Sequence, residues 1–433
     1  MEYWDQEKEC MNREEIGQVQ LERLQSTLNR VYKNVRHYRN TFREMDFMPE
    51  DFRTLDDLRK LPFVTRQILM ENYPYGMFAV PLREVVRLHA PVLNQDDPVV
   101  MGFTRNDLKN WAELMARNLT AAGLTKDDVI QVSPSLGIMT GSFGVQMGAQ
   151  LIGASVIPMP GGKFPAQVKI MRDFRTTAIA ATPTFALGLL RSMEEMGVEP
   201  NTLSLKCGII GSEPWSEMIR AELESKLHIS VTDTYSLAEI FGPAVAWECP
   251  EKKGLHISED HFIPEIIDPH TGENLPPGRE GELVITTISK QAFPLIRFRT
   301  GDISRINYEP CACGRTHCRL SRISRRCDEA FVMNGSRIVP EQVGRVLARL
   351  TGSEQVFQLL IERQDAQDRL TVLVEISDAI FFDDMNRQRR FVDELHRVIS
   401  ESLGWEVSVK LVEPGTFDPG QRIADQRVFA TVI

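Results

Sequence analysis

The 433-residue chain lacks several things at once, and each lack removes a class of function. No run approaches the roughly 18 apolar residues of a membrane span. The acidic start Met1-Glu-Tyr-Trp-Asp-Gln-Glu7 has neither the basic nor the apolar region of a secretory signal, so a soluble, intracellular, cytoplasmic protein is expected. Positive charge is in deficit: 50 Lys and Arg stand against 60 Asp and Glu, a formal net charge of −10. Nucleic acid or an anionic membrane would demand a basic face that releases counterions, so neither is expected as a partner. The seven cysteines are odd in number and form no Cys-x-x-Cys pair. In a reducing compartment such usage points to metal ligation before disulfides.

A local lack bears most directly on chemistry. Residues 91–98, Pro91-Val-Leu-Asn-Gln-Asp-Asp-Pro98, contain no glycine, lysine, serine or threonine. A loop that cradles phosphates needs glycines so that backbone N–H groups converge, hydroxyls to donate further, and a lysine to neutralise charge. Asp96 and Asp97 stand there instead, and like unit charges about 4 Å apart repel by roughly 4 kcal/mol at an effective dielectric near 20. The loop is hostile to a triphosphate. Near the C-terminus, Asp418-Pro-Gly-Gln-Arg-Ile-Ala-Asp-Gln-Arg427 contains no lysine either.

What is present reads as a two- or three-domain enzyme-sized α/β protein. Apolar residues from Ile16 to Tyr38 recur at three- and four-residue spacings and predict one amphipathic helix over 14–42. Thr104 with Asp107 makes a capping-box start for a second helix. Strands are expected at 129–132, 155–159, 178–181, 207–211 and 230–234, alternating with helices, which favours a mostly parallel sheet covered on both faces. From Phe262 the pattern changes to strands joined by turns, a β-rich subdomain. The last hundred residues read β-α-β-β-α-β, the order of a small ferredoxin-like α+β lid. The expected division is 1–328, with the β-rich part at about 249–328, and 329–433, with a hinge near Asp328.

Four groups of residues carry chemistry. Gly211-Ser212-Glu213-Pro214-Trp215 follows a buried-looking strand and opens a helix, where open α/β sheets receive ligands. Asp233-Thr234-Tyr235-Ser-Leu-Ala-Glu239 follows the next strand and brings an aromatic ring able to stack on a base and a carboxylate able to hold Mg²⁺. Taken singly, Tyr235 and Glu239 read more readily as a helix-start tyrosine and a solvated acid, and it is their order with Gly211 and Asp302 that favours the chemical reading. Further on, Asp302 offers a carboxylate to two ribose hydroxyls, and Arg322 and Arg326 add guanidinium groups before the expected hinge. Separately, Cys249-x6-His256 with Cys311-x-Cys313 supplies three sulfurs and an imidazole, a set that suits tetrahedral structural zinc, with Cys318 as an alternative ligand.

The order of these segments resembles the phenylacetate–coenzyme A ligase branch of the adenylate-forming, AMP-binding ligases. The resemblance is closest through Gly211-Ser-Glu-Pro-Trp215, Thr232-Asp-Thr-Tyr235, Gly254-Leu-His-Ile257, Glu259-Asp-His-Phe262, Arg299-Thr-Gly-Asp302 and Cys311-Ala-Cys-Gly-Arg-Thr-His317. It implies activation of an aryl or acyl carboxylate with ATP and Mg²⁺ to an acyl-adenylate, then transfer to coenzyme A. It also implies that Gly211, Ser212, Glu213 and Pro214 line the adenine with Asp233 and Thr234, that Tyr235 stacks on it, and that Glu239 binds Mg²⁺. By the same resemblance Asp302 grips the ribose, Arg322 and Arg326 are phosphate-contact candidates, Phe143 lines an acyl pocket, and a homodimer is the family's habit.

The chain departs from that family where ATP is consumed. The family's loop Ser-Ser-Gly-Thr-Thr-Gly-Lys-Pro-Thr falls on Pro91 to Val99, and its C-terminal Gly-Lys falls where Gln421 or Ala424 stands, with Arg422 the only nearby cation. The planar fork of an arginine is a poor stand-in for a point ammonium. The pattern Tyr-Gly-Leu-Thr-Glu has become Tyr235-Ser-Leu-Ala-Glu239. Three functions follow as expectations: a ligase with impaired ATP-dependent adenylation, an acyltransferase using preformed acyl-adenylate, and an inactive homologue that binds nucleotide, acyl ligand or a protein partner.

Overall fold

The computed structural model describes residues 2–433 apart from 91–98, 134–140, 160–162, 214, 324, 328–329, 334–335, 365–366, 378–379, 381–384, 418–421 and 427–433. The chain forms two compact units, one of residues 1–212 with 221–327 and one of 213–220 with 328–433. Among the described residues no helix is long and apolar enough to cross a membrane.

The first unit is built on a nine-stranded sheet. Five strands, Ser155–Pro158, Val129–Val132, Ala178–Ala181, Cys207–Gly211 and Ser230–Leu237, lie parallel in that spatial order. Short runs such as Ala178-Ile-Ala-Ala181 suit a strand covered on both faces. The sheet then continues antiparallel through Gly242–Glu248, Leu255–Ile257, Arg319–Leu320 and Ile306–Asn307. The expected α/β architecture is thus a mixed sheet: segments read as part of a separate β region extend the parallel half. A second, four-stranded antiparallel sheet runs Phe262–Ile267, Gly281–Thr287, Phe298–Ser304 and Arg325–Arg326.

The helix expected over 14–42 is two helices, Arg13–Asn34 and Arg36–Glu44, because Val35 adopts an extended conformation (φ −107°, ψ 117°). The break lets Val35, Tyr38 and Phe42 all enter the core. Tyr38 Oη accepts from the Ile296 amide at 3.1 Å, tying this corner to the second sheet. Thr104 caps the helix Arg105–Ala121 in the expected capping box with Asp107. That helix packs closely on Gly141–Leu151: a Cβ on Gly144 would lie 2.6 Å from the Trp111 ring.

The second unit has its own core, with Val343, Leu347, Leu359, Ile361, Val372, Val374, Leu395 and Ile399 buried between two helices and a four-stranded sheet. The first strand of the expected β-α-β-β-α-β order, Phe331–Met333, does not join that sheet and pairs instead with Ser336–Ile338. The edge beside Phe357–Gln364 is Ile423–Asp425, parallel to it with Leu359 opposite Ile423.

Candidate nucleotide site and thiolate cluster

Two adjacent parallel strands place the first group. Gly211 ends one strand opposite Thr234 of the next, and a Cβ there would lie 2.2 Å from the Thr234 carbonyl oxygen, so only glycine fits. Ser212 follows with φ +69°, a left-handed turn off the sheet edge. Thr234 Oγ1 accepts from Asn118 Nδ2 at 2.9 Å, which pins the edge from below. Asp233 is oriented at both ends: its amide donates to Glu248 at 2.8 Å and its carboxylate accepts from Arg322 Nε at 2.9 Å.

The second sheet brings Asp302 to this edge. Tyr235 Oη donates to Asp302 Oδ2 at 2.5 Å, and Arg326 donates to Oδ1 of the same carboxylate. Arg326 is held in turn by the Thr300 carbonyl at 2.8 Å, because Asp302 and Arg326 face each other in register. Burial, reinforced by the Asp302 charge, raises the Tyr235 phenol well above its ordinary value, so it stays a donor. Each oxygen of an ionised carboxylate takes more than one donor, so Asp302 can still accept a pair of adjacent hydroxyls.

Glu239 lies beyond this cluster and is paired with Arg66, both side chains largely buried. Its main-chain oxygen and that of Ile240 accept from the Lys290 ammonium. Lys290 is fully enclosed, with the Phe103, Phe241 and Phe293 rings at 4.4, 5.2 and 5.5 Å, and burial lowers it to about 7 against the opposing charges of Asp107 and Glu239. Arg66, at the start of the helix Arg66–Glu71, and Lys290 escaped the sequence reading, since a lone cation carries no local signature. For a magnesium ion, Glu239 offers the right oxygen chemistry, yet one of its oxygens already serves a guanidinium. Phe143 is half-buried, with the Arg87 guanidinium 5.0 Å from its ring centre and the His89 ring at 5.5 Å. Glu213 belongs to the second unit. The 91–98 loop, Pro214, Asp328 and Gln421 lie outside the described residues. Arg422 pairs with Glu341 at 3.3 Å, and Ala424 sits in the edge strand opposite Leu360.

A separate cluster forms where the main sheet turns antiparallel. Cys249 follows the Gly242–Glu248 strand, His256 sits in Leu255–Ile257, and Cys311 and Cys313 lie in the turn before Arg319–Leu320. All four are buried, with ligand atoms within 4.8 Å of one another. Zinc held tetrahedrally by thiolates at roughly 2.3 Å and imidazole at roughly 2.0–2.1 Å sets S···S and S···N edges of about 3.8 and 3.6 Å. The Cys249–Cys311 sulfurs are 3.7 Å apart and Cys313 Sγ is 3.4 Å from His256 Nε2. His256 Nδ1 meets the His317 carbonyl at 3.2 Å, fixing the tautomer that leaves Nε2 as ligand. Hydrogen bonds from Cys249 and His256 hold Cys313 down to about 2, and His256 likewise lowers Cys311. The residues therefore fit a metal in both geometry and donor type. Cys318 is buried outside this set.

Comparison with known proteins places the chain. The family model described as AMP-binding enzyme matches residues 99–289, and that described as AMP-binding enzyme C-terminal domain matches 335–429. Phenylacetate-coenzyme A ligase of Thermus thermophilus is 38% identical over 422 residues, spanning 94% of this chain and 95% of the relative. That of Pseudomonas putida is 40% identical over 402 residues, spanning 93% and 91%. Among solved structures, 2-hydroxyisobutyryl-CoA ligase in complex with 2-HIB-AMP and CoA aligns with a TM-score of 0.88 at 25% identity, covering 98% of this chain and 92% of that one. With near-complete coverage by such relatives, the chain belongs to the phenylacetate–coenzyme A ligase family of adenylate-forming enzymes.

Proposed function

We propose that this protein binds the adenosine moiety of an aryl- or acyl-adenylate and transfers the acyl group to coenzyme A, while ATP-dependent adenylation is impaired. The observation that carries the reading is the contrast between the two ends of the nucleotide. The adenosine side is a built constellation, in which Asp302 is aimed by Tyr235 and Arg326 beside the glycine-tight edge at Gly211. On the phosphate side, residues 91–98 offer no glycine, lysine or hydroxyl, and 418–427 offer no lysine. Arg66 on Glu239 points the same way, because it neutralises the carboxylate that Mg²⁺ would need.

In the transfer step the coenzyme A thiolate attacks the acyl carbonyl of the mixed anhydride, the bond from that carbon to the phosphate oxygen breaks, and AMP leaves with the electron pair. The thiol proton passes to solvent. No triphosphate has to be held for this, so neither the missing loop nor the missing lysine is required. Gly211, Ser212 and Tyr235 would hold the base, Asp302 the ribose hydroxyls, and Phe143 the acyl group. Cys249, His256, Cys311 and Cys313 would hold a structural zinc, a role consistent with reduced cysteines in a cytoplasmic setting.

The test supplies synthetic phenylacetyl-AMP with coenzyme A in one arm and phenylacetate, ATP, Mg²⁺ and coenzyme A in the other. Thioester in the first arm and little in the second supports the proposal. Robust ATP–pyrophosphate exchange overturns the impairment, and no thioester in either arm leaves the binding homologue.

A further inference from the structure

Residues 2–12 are held to one place on the first unit, and that place is the outer face of the thiolate turn. Tyr3 Oη donates to the Cys313 carbonyl at 2.7 Å, and its ring lies 4.7 Å from the Arg315 guanidinium. Gly314 takes a left-handed φ of +82°, and a Cβ there would lie 2.4 Å from Tyr3 Oη. Arg315 Nε donates to Glu9 at 2.6 Å in a pair with both side chains 2% exposed. The Thr316 amide donates to the Glu9 carbonyl at 3.2 Å, and His317 Nε2 meets the Lys8 carbonyl at 2.9 Å. Glu9 is also the staple of the segment itself, accepting from the Trp4 and Asp5 amides at 2.9 Å each.

The same short turn thus carries two sulfur ligands and, at Cys313 to His317, the hydrogen-bond partners of Glu2, Tyr3, Lys8, Glu9 and Met11. The strands on either side, Ile306–Asn307 and Arg319–Leu320, are two residues each, so little regular structure fixes the turn between them. Without a metal the four ligand side chains meet through contacts such as Cys249–Cys311 at 3.7 Å and Cys313–His256 at 3.4 Å, which are weaker than coordinate bonds. A bound cation ties all four ligand atoms to one point and so fixes the ligand backbone, including the Cys313 carbonyl and the Arg315 side chain that the segment grips.

We infer that the metal centre is a latch for the N-terminal segment: zinc at Cys249, His256, Cys311 and Cys313 holds residues 2–12 on the turn, and its removal releases them. The inference rests on the zinc reading above. Hydrogen–deuterium exchange of the full-length protein, before and after chelation and again after zinc is returned, tests it beside metal analysis of the same samples. On stripping, peptides covering 2–12 and 311–317 should exchange about tenfold faster or more, with the central strand 207–211 unchanged, as for a local opening, and zinc should restore them. Glu9→Gln should speed exchange in 2–12 while the zinc content stays at one per chain. A protein that neither carries nor takes up zinc overturns the zinc reading and the latch together. Bound zinc with unchanged exchange in 2–12 on stripping overturns the latch alone, and a rise spread evenly over the chain overturns it too, assigning the metal to the global fold.

Discussion

Replacing Asp302 by asparagine separates a ligand-binding role from a structural one. The carboxylate is 5% exposed and its oxygens receive Tyr235 Oη at 2.5 Å and the Arg326 guanidinium. In Asp302→Asn the amide oxygen can turn toward Arg326 while the amide N–H donates to Tyr235 Oη, so both neighbours keep a partner. What is lost is one charge-assisted hydrogen bond, worth about 1.5–3 kcal/mol, exchanged for a neutral one of about 1 kcal/mol. Stability should therefore fall by only about 1–2 kcal/mol. A ribose would lose more selectively, because the amide nitrogen cannot accept from a hydroxyl. AMP affinity should drop roughly tenfold to a hundredfold, equivalent to about 1.4–2.7 kcal/mol. Calorimetric titration with AMP, paired with urea denaturation of both proteins, reads the two effects apart. AMP binding within twofold of the parent, with the fold intact, would refute the argument that Asp302 faces the nucleotide.

Other perturbations follow from the same geometry. Gly211→Ala puts a Cβ against the Thr234 carbonyl and should cost about 1–3 kcal/mol in urea denaturation together with most AMP binding; a neutral result would mean the strand edge is not tight. Arg117→Met breaks the bidentate Arg117–Asp260 pair, 2.8 Å in both contacts and buried, and should destabilise by about 3–5 kcal/mol, seen as a large shift of the denaturation midpoint. Asp128 opposes its burial with bonds from Lys206, Thr177 and the Thr125 amide, which lower its carboxyl below the ordinary range. A depressed carboxyl contributes stability that is present above its unfolded value and lost as pH falls through the folded one. Asp128→Asn should accordingly lose stability at pH 7 and flatten the acid side of the stability profile below about pH 4; an unchanged acid limb would contradict this.

Much of the scaffold was legible because it depends on short-range regularities. Four- and five-residue apolar strands, the Thr104–Asp107 cap and the apolar spacing of Ile16 to Tyr38 are local signals, and each produced its element. Val35 was missed because its break is set by where Tyr38 and Phe42 must be buried, a tertiary demand that overrides helical spacing. Phe331–Met333 pairs with Ser336–Ile338 while Ile423–Asp425 fills an edge of the second unit's sheet, because strand pairing partners are chosen in three dimensions. Within the candidate site, the four metal-type ligands are singled out by residue type, and Tyr235 and Asp302 by the order of segments that carries the family resemblance. Arg66 on Glu239, Lys290 in its aromatic enclosure and Glu9 on Arg315 were not, since each is one ordinary charge whose partner lies far along the chain.

The central claim is that the adenosine side of the site is kept and the phosphate side is lost. Its most direct measurement is the affinity of the full-length protein for AMP against Mg²⁺–ATP in the same buffer. The account predicts that AMP binds and that the triphosphate binds no more tightly, or is excluded. Tighter binding of Mg²⁺–ATP than of AMP by tenfold or more would contradict it, because the extra phosphates could then be gripped only by groups that residues 91–98 and 418–427 are argued to lack.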